Sequence, residues 1–328
     1  MTRVEIEIQA NVLLTVPLGS RELRSEKTLT PTEYQKLQEF LAFKNATIAD
    51  LLESNGSALL EGLQIKNLQK KRVENLLKQG TALAISVEKW ERAGLWIISP
   101  LHEDYPQRYL EKFREKTPPI IFGAGSRKIL NKRGIAIVGS RSVSRENEIL
   151  ARSLGELAST QGYSVISGGA KGVDELSMRG AIDKEGQIVG VMTANLLRSA
   201  VSKKYRSAIA RGDLTLISMI NPETGFSVGA AMKRNKYIYA LSEMAIAVCS
   251  TIEKGGTWTG AIENLKNEWV PLFLGSNKES GSGNEALVNK GGHWLPSLDE
   301  INFDKLIDAS NSKDVNFTEE PSQLSFGI

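Results

Sequence analysis

Three glycine-rich stretches hold the residues best suited to chemistry, and the chemistry they suit is the binding of an anion. The first is Gly139-Ser140-Arg141, where glycine lets a ligand approach the backbone, serine donates a hydrogen bond and arginine offers a planar fork matched to phosphate. The second runs Ser167-Gly168-Gly169-Ala170-Lys171-Gly172-Val173-Asp174. Its small residues expose backbone N–H groups where a helix should begin, the helix dipole favours negative charge there, and Lys171 adds a full positive charge. The third is Lys254-Gly255-Gly256-Thr257-Trp258-Thr259, with two glycines and two hydroxyls repeating the design. Any one such loop could equally be tight strand-to-helix packing, but three at one end of a sheet point to a ligand. None reads Gly-x-Gly-x-x-Gly or Gly-x-x-x-x-Gly-Lys-[Ser/Thr], so the pattern is neither a standard dinucleotide fingerprint nor a P-loop.

Between the second and third loops lie two basic clusters. Lys203-Lys204-Tyr205-Arg206 sets an aromatic ring among cations, the combination that tracks a nucleic-acid backbone while stacking a base. Lys233-Arg234-Asn235-Lys236 falls within a helical stretch; Arg234 can clamp a phosphate, and Asn235 can either bond a base edge or satisfy a neighbouring turn. Net charge is only +3, so the signal is this clustering and not the total. A solvated basic face is the bland alternative for either cluster alone.

A catalytic constellation is not evident, and no enzyme activity, metal or cofactor is expected. The two histidines, His102 and His293, stand far apart and outside the three loops, and a single cysteine, Cys249, permits neither an intrachain disulfide nor a cysteine-pair metal site. Cys249 sits in an apolar run and reads as core. Of the carboxylates Asp174, Glu223, Glu253 and Glu263, the first suits the start of a helix, and Glu253 is the one that could serve as a general base.

The elements that must position these loops alternate in type. Residues up to about 93 read as short helices. Thr30-Pro31-Thr32-Glu33 combines an N-cap, a first-turn proline and a glutamate three residues after the cap. Further helices are expected over 47–54, over 66–79 and onward to Arg92. Residues 95–98 form a short apolar run and Pro118-Pro119 precedes Ile120-Ile121-Phe122; strands are expected at 135–138, 163–166, 188–192, 214–218, 245–249 and 270–274. Helices fall between them at 145–161 (with Ile149, Leu150, Leu154 and Leu157 inward), 172–184, 228–241 and 258–267. Short apolar strands alternating with helices predict an α/β, doubly wound, mostly parallel, extended Rossmann-like sheet with a small N-terminal helical domain. The expected divisions are a helical module over 1–93, the Rossmann-like domain over 94–276, and a linker with an acidic, partly disordered tail over 277–328. The acidic N-terminus does not suit a signal peptide, and no run approaches the roughly 18 apolar residues of a membrane span, so a cytoplasmic protein with no membrane partner is expected.

Together, Ile135–Arg141 (IAIVGSR), Ser167–Asp174 (SGGAKGVD), Lys233–Ala240 (KRNKYIYA) and Gly255–Ala261 (GGTWTGA) resemble the DprA/Smf family of DNA-processing proteins over about residues 90–275. Asp104-Tyr105-Pro106 and Thr117-Pro118-Pro119 look like that family's lead-in to the sheet. The resemblance implies an extended Rossmann-like fold, a homodimer, single-stranded DNA as ligand, delivery of that DNA to a RecA-type recombinase during natural transformation, and no established catalysis. By position, Arg141, Lys171, Arg234 and Asn235 match the family's basic pocket, and Gly139, Ser140, Gly168, Gly169 and Gly172 its glycine loops. The expected DNA contacts add Ser167, Lys203, Lys204, Arg206, Lys233, Lys236, Gly255, Gly256 and Thr257. The chain departs from the family pattern in Glu175-Leu176-Ser177 after Asp174, and in Ala231-Met232-Lys233 where Phe-Pro-x usually precedes the Arg-Asn pair. Nothing in it resembles the winged helix many members carry. A nucleotide-binding sensor or hydrolase of related fold, in phage defence for example, is the alternative, with Glu253 and Thr257 beside the nucleotide. Two basic clusters exceed what a mononucleotide needs.

Overall fold

The computed structural model describes residues 2–19, 26–276 and 283–312. Five helices come first: α1 (Arg3–Thr15), α2 (Pro31–Phe43), α3 (Gly56–Leu59), α4 (Lys70–Leu77) and α5 (Gly80–Arg92). Two of them start on the same device. Thr2 and Thr30 each accept from the amide of a glutamate three residues on, whose carboxylate returns to the threonine N–H. The expected helix over 66–79 begins only at Lys70, because Asn67 adopts φ +66° and a left-handed residue stops an α-helix from passing through. Over 47–54 a single 3₁₀ turn forms at Ala49–Leu52. Leu14, Tyr34, Leu37, Leu41, Val73 and Leu76 make the core of this module.

The sheet follows, built from β1 (Leu95–Ile98), β2 (Ile121–Ala124), β3 (Gly134–Val138), β4 (Ser164–Ser167), β5 (Ile188–Val191), β6 (Leu214–Ser218), β7 (Met244–Ala247), β8 (Leu272–Leu274) and β9 (His293–Trp294). Its order is β1-β2-β6-β5-β4-β3-β7-β8-β9. All pairings from β6 to β9 are parallel, while β1 pairs with β2, and β2 with β6, antiparallel. The chain winds outward from β3 in both directions, and such a reversal opens a crevice beyond the carboxyl ends of β3 and β7.

Between strands run α6 (Gln107–Phe113), α7 (Arg145–Thr160), α8 (Val173–Asp183), α9 (Leu196–Ala200), α10 (Arg206–Arg211), α11 (Val228–Leu241) and α12 (Gly255–Asn267). Successive strand residues face opposite ways. Ile135 and Ile137 of β3 thus join Leu154 and Met178 on one face, whereas Ala136 and Val138 join Tyr239 and Trp258 on the other. The first cluster also takes in Val12, Leu13, Leu83 and Trp90, so the N-terminal helices share the core of the sheet. Trp90 meets Phe122 edge-to-face at 5.0 Å. One inward assignment on α7 is corrected: Ile149 is 43% exposed, because Leu150, Ala151, Leu154 and Ala158 form the inward stripe and Ile149 falls one residue round from it.

The segment beyond 276 also carries structure. After α13 (Gly283–Val288), β9 adds to the sheet beside β8, and α14 (Phe303–Ser312) follows. Phe303 and Leu306 are buried in the sheet's core, and Asp304 pairs with Arg133 at 2.6 Å. Composition rich in Asp, Asn and Ser masked the apolar spacing of Leu295, Ile301, Phe303 and Leu306. The expected linker at 277–282 and the end of the tail from 313 lie outside the described residues.

α7 and α8 cross at two glycines. A Cβ on Gly155 would stand 2.0 Å from the Ser177 carbonyl oxygen, and one on Gly180 would stand 2.1 Å from that of Arg152. Backbone cannot yield as a side-chain tip can, so Gly155→Ala must push the helices apart. The expected cost is about 1–3 kcal/mol, read as a lower thermal or denaturant midpoint with unchanged helix content.

Candidate functional site

The crevice is a cleft of about 390 Å³ lined by the loop after β3 (Gly139, Ser140, Arg141), by Ala170 and Asp174, by Phe226 and the first turns of α11, and by Ser250, Thr251 and Lys254 to Thr257. Arg141, Arg234 and Lys254 bring three cations to it, against the single carboxylate of Asp174.

Arg234 is the centre of the site. It is only 9% exposed, and its Nη1 donates to the carbonyl of Val191, the last residue of β5, at 3.0 Å. Its guanidinium lies against Gly168 so closely that a Cβ there would fall 1.5 Å from Nη1. Burial pulls the Arg234 pKa down, and nearby Asp174 opposes that shift. Asp174, itself buried, accepts from the amides of Gly168 at 3.2 Å and Ala170 at 3.4 Å, folding the second loop around its carboxylate. Burial pushes the Asp174 pKa up, while Arg234 and the two amides work against this. The Nε of Arg234 is buried without a hydrogen-bond partner. An orphaned donor of this kind costs about 1–3 kcal/mol.

The other walls follow from their loops. Ser140 N–H donates to the Cys249 carbonyl at 3.1 Å, and its Oγ accepts from Ser142 N–H at 3.2 Å, fixing the turn that presents Arg141. Gly172, at φ +91°, packs its Cα against the Ser140 carbonyl, which ties the first loop to the second. The helix α12 begins at Gly255 with no side-chain cap, so its first N–H groups lack an internal partner at the edge of the cleft. Ser250 Oγ donates to Asn284 Oδ1, and Asn284 Nδ2 reaches the carbonyls of Ala247, Val248 and Gly275. The cleft floor is therefore bolted from α13.

Several expected contacts lie elsewhere. Ser167 is fully buried and donates to the Ile137 carbonyl at 2.7 Å, so it belongs to the core. Lys236 turns away from the cleft and lies over the rings of Tyr237 and Phe113, at 4.9 and 5.5 Å. Asn235 donates to the Gly256 carbonyl at 2.7 Å and so holds the first turn of α12, which takes up most of the expected third loop. Lys233, Lys171, Lys203 and Arg206 are exposed, and Lys204 pairs with Glu175 at 2.8 Å. Tyr205 Oη stands 3.6 Å from where a Cβ on Gly169 would be, which places the 203–206 cluster beside the second loop. Glu253, exposed at φ +54°, is not among the cleft residues. Sequence reasoning misses two contributors. Asp174 suits a helix start by its type, though a short carboxylate six positions past Gly168 is also the signal for a loop tether. Phe226, 54% exposed and 5.4 Å beneath the Arg141 guanidinium, is signalled only by an aromatic following Asn221-Pro222-Glu223-Thr224-Gly225.

Gly168→Ala is expected to expel the Arg234 guanidinium from its seat. A crystal structure of the variant should show the bond to Val191 broken, and its unfolding free energy should fall by about 1–3 kcal/mol.

Residues 96–304 match the family model described as DNA recombination-mediator protein A. Among curated proteins, the chain is 22% identical to protein Smf of Escherichia coli over 86% of this chain and 77% of that one. It is 28% identical to the DNA processing protein DprA of Bacillus subtilis over 62% of this chain and 67% of that one. Among solved structures it resembles DNA processing protein A of Streptococcus pneumoniae, with a TM-score of 0.65 at 17% identity over 90% of this chain and 95% of that one. It also resembles DNA processing protein A of Helicobacter pylori, with a TM-score of 0.52 at 20% identity over 67% and 96%, in a structure describing a single-stranded DNA binding mode. At these identities the structural likeness speaks for the fold.

Proposed function

The chain belongs to the DNA recombination-mediator protein A family, and from that premise we propose that its cleft binds single-stranded DNA through the sugar-phosphate backbone. The observation that carries this reading is the buried Arg234, which keeps an unpartnered Nε beside Arg141 and the uncapped start of α12. Preset donors around a desolvated cation suit a phosphate, whose oxygens accept from several of them at once. The strand then continues past the second loop, with Lys171, toward Lys203, Lys204 and Arg206. Phe226 and Tyr205, each beside a cation, supply faces on which unpaired bases stack. A duplex hides those base faces, which is the reason for preferring a single strand.

The finer reading is that a homodimer presents the bound strand to a RecA-type recombinase in the cytoplasm, without catalysis of its own. The dimer is tested by light scattering, and delivery by the rate at which recombinase displaces a single-strand-coating protein with and without this chain. Among the described residues, no helix is long and apolar enough to cross a membrane, and no group of three His, Cys, Asp or Glu could hold a metal ion.

The binding experiment is a fluorescence-anisotropy titration of a labelled oligothymidine over a series of salt concentrations. Wild type is expected to bind it more tightly than duplex, with affinity falling steeply as salt rises. The Arg141→Ala/Lys171→Ala variant should bind weakly, with a salt slope shallower by roughly 0.7 for each phosphate it no longer neutralises. Phe226→Ala should weaken binding by about 1–3 kcal/mol with the slope unchanged, since stacking releases no counterion. No binding by wild type at low salt would overturn the reading and turn the search to mononucleotides, for which the cleft volume is sufficient.

A further inference from the structure

The wall of the cleft that carries Phe226 is held from outside, by the N-terminal helices. Residues 219–227 connect β6 to α11, and two of their side chains reach the N-terminal module. Asn221 Nδ2 donates to the Pro17 carbonyl at 2.7 Å. Glu223 Oε1 accepts from the indole N–H of Trp90 at 3.1 Å, and Oε2 pairs with Lys89. The two are linked, for Glu223 N–H donates to Asn221 Oδ1 at 2.8 Å and Thr224 N–H to the Asn221 carbonyl at 2.9 Å. On its other side the connection is pinned by Asn195 N–H to the Thr224 carbonyl at 2.8 Å and Leu197 N–H to that of Pro222 at 3.1 Å. Trp90 is 1% exposed and packed in the sheet's core, so the hydrogen bond it offers comes from a rigid base. Three residues beyond Glu223, Phe226 enters the cleft under Arg141.

We propose that Asn221 and Glu223 are positioning residues for nucleic-acid binding, through which the N-terminal helical module sets the place of Phe226 in the cleft. Neither residue lines the cleft. Their effect passes along the chain: with both anchors made, the 224–226 segment has little freedom, and the Phe226 ring stays where a base can stack on it. The exposed ion pair to Lys89 is the weaker half of the Glu223 anchor, since solvent screens it. The hydrogen bond from the buried indole is the stronger half, because removing its acceptor strands a donor that the core keeps from water. The inference rests on the single-strand reading of the cleft.

The test combines the oligothymidine titration with amide hydrogen exchange on the full chain. Glu223→Ala removes the acceptor of both bonds and is expected to weaken binding about five- to tenfold. Glu223→Gln keeps an acceptor for Trp90, and Lys89→Ala removes the ion pair alone; both should stay within about twofold of wild type. In a Phe226→Ala background, Glu223→Ala should add less than about twofold, because the residue it positions is gone. Exchange in Glu223→Ala should quicken over 224–230 and remain unchanged over β3 to β5. Equal binding by Glu223→Ala and wild type, or an undiminished Glu223→Ala effect in the Phe226→Ala background, would overturn the proposal. If wild type binds no single strand, the reading of the cleft has failed. Exchange then decides the tether alone: faster exchange confined to 224–230 supports it, and an unchanged pattern removes it.

Discussion

A guanidinium taken out of water is expensive, and the site is organised around meeting that cost at Arg234. Four features do so together: the Val191 carbonyl at a strand end, the Asp174 carboxylate, a glycine that yields the space of a side chain, and the second loop wrapped on Asp174 by two amides. The hydrogen bond to Val191, the space left by Gly168 and the nearby charge of Asp174 hold Arg234 in place, whereas an exposed pair such as Lys204–Glu175 contributes only about 0–1 kcal/mol. Asp174 gives hydrogen-bonding capacity to the loop amides and meets Arg234 through charge, and the Arg234 Nε is left buried without a hydrogen-bond partner.

Much of the frame was legible because it depends on period and punctuation. The strands of the parallel sheet are continuous apolar runs, and the sequence places 214–218 and the helix 228–241 at the bounds the structure has. The first two loops were legible for the same reason, since each lies between a strand and a helix, but the third was not: α12 begins at Gly255, three residues before the expected start, so Gly255 to Thr259 form its first turns. The helix α1 was not singled out, because its apolar residues Ile8, Ala10, Val12, Leu13 and Leu14 serve two cores at once and leave no single stripe. At the site, residue type identified the cations but not their direction. Arg234 lines the cleft, whereas Lys236, two residues further along the same helix, lies over the rings of Tyr237 and Phe113, and residue type alone does not separate the two. Ser167 has a hydroxyl in a glycine-rich loop, yet it is the last residue of β4 and its inward position was decided by strand alternation.

The N-terminal module and the sheet are joined by two kinds of contact with different consequences. Apolar packing of Leu13, Leu83 and Trp90 into the sheet's core is non-directional and secures attachment. The bonds from Asn221 and Glu223 are directional, and they fall on a connection that also contributes Phe226 to the cleft. Attachment alone would leave that connection free to move; the polar contacts specify where it rests.

The departure from the family pattern before Arg234 now has a structural meaning. Where the pattern sets proline, this chain has Met232, the fifth residue of α11, whose amide lies in the hydrogen-bonded part of the helix. A proline there would remove that donor and clash with the preceding turn, so a helix carrying it would have to start later. Methionine lets α11 begin at Val228, on the Ser227 cap that accepts from Ala230 N–H at 3.2 Å. The first turns of α11 put Val228, Ala231 and Met232 on the cleft as a helical, apolar surface beside the cations. Val228 is 67% and Met232 39% exposed, so this surface is open to whatever enters. A ligand with only charge would gain nothing from it. On the proposed single-strand reading, the phosphates meet the cations and the flat apolar bases meet this surface, a match that a small anion cannot make.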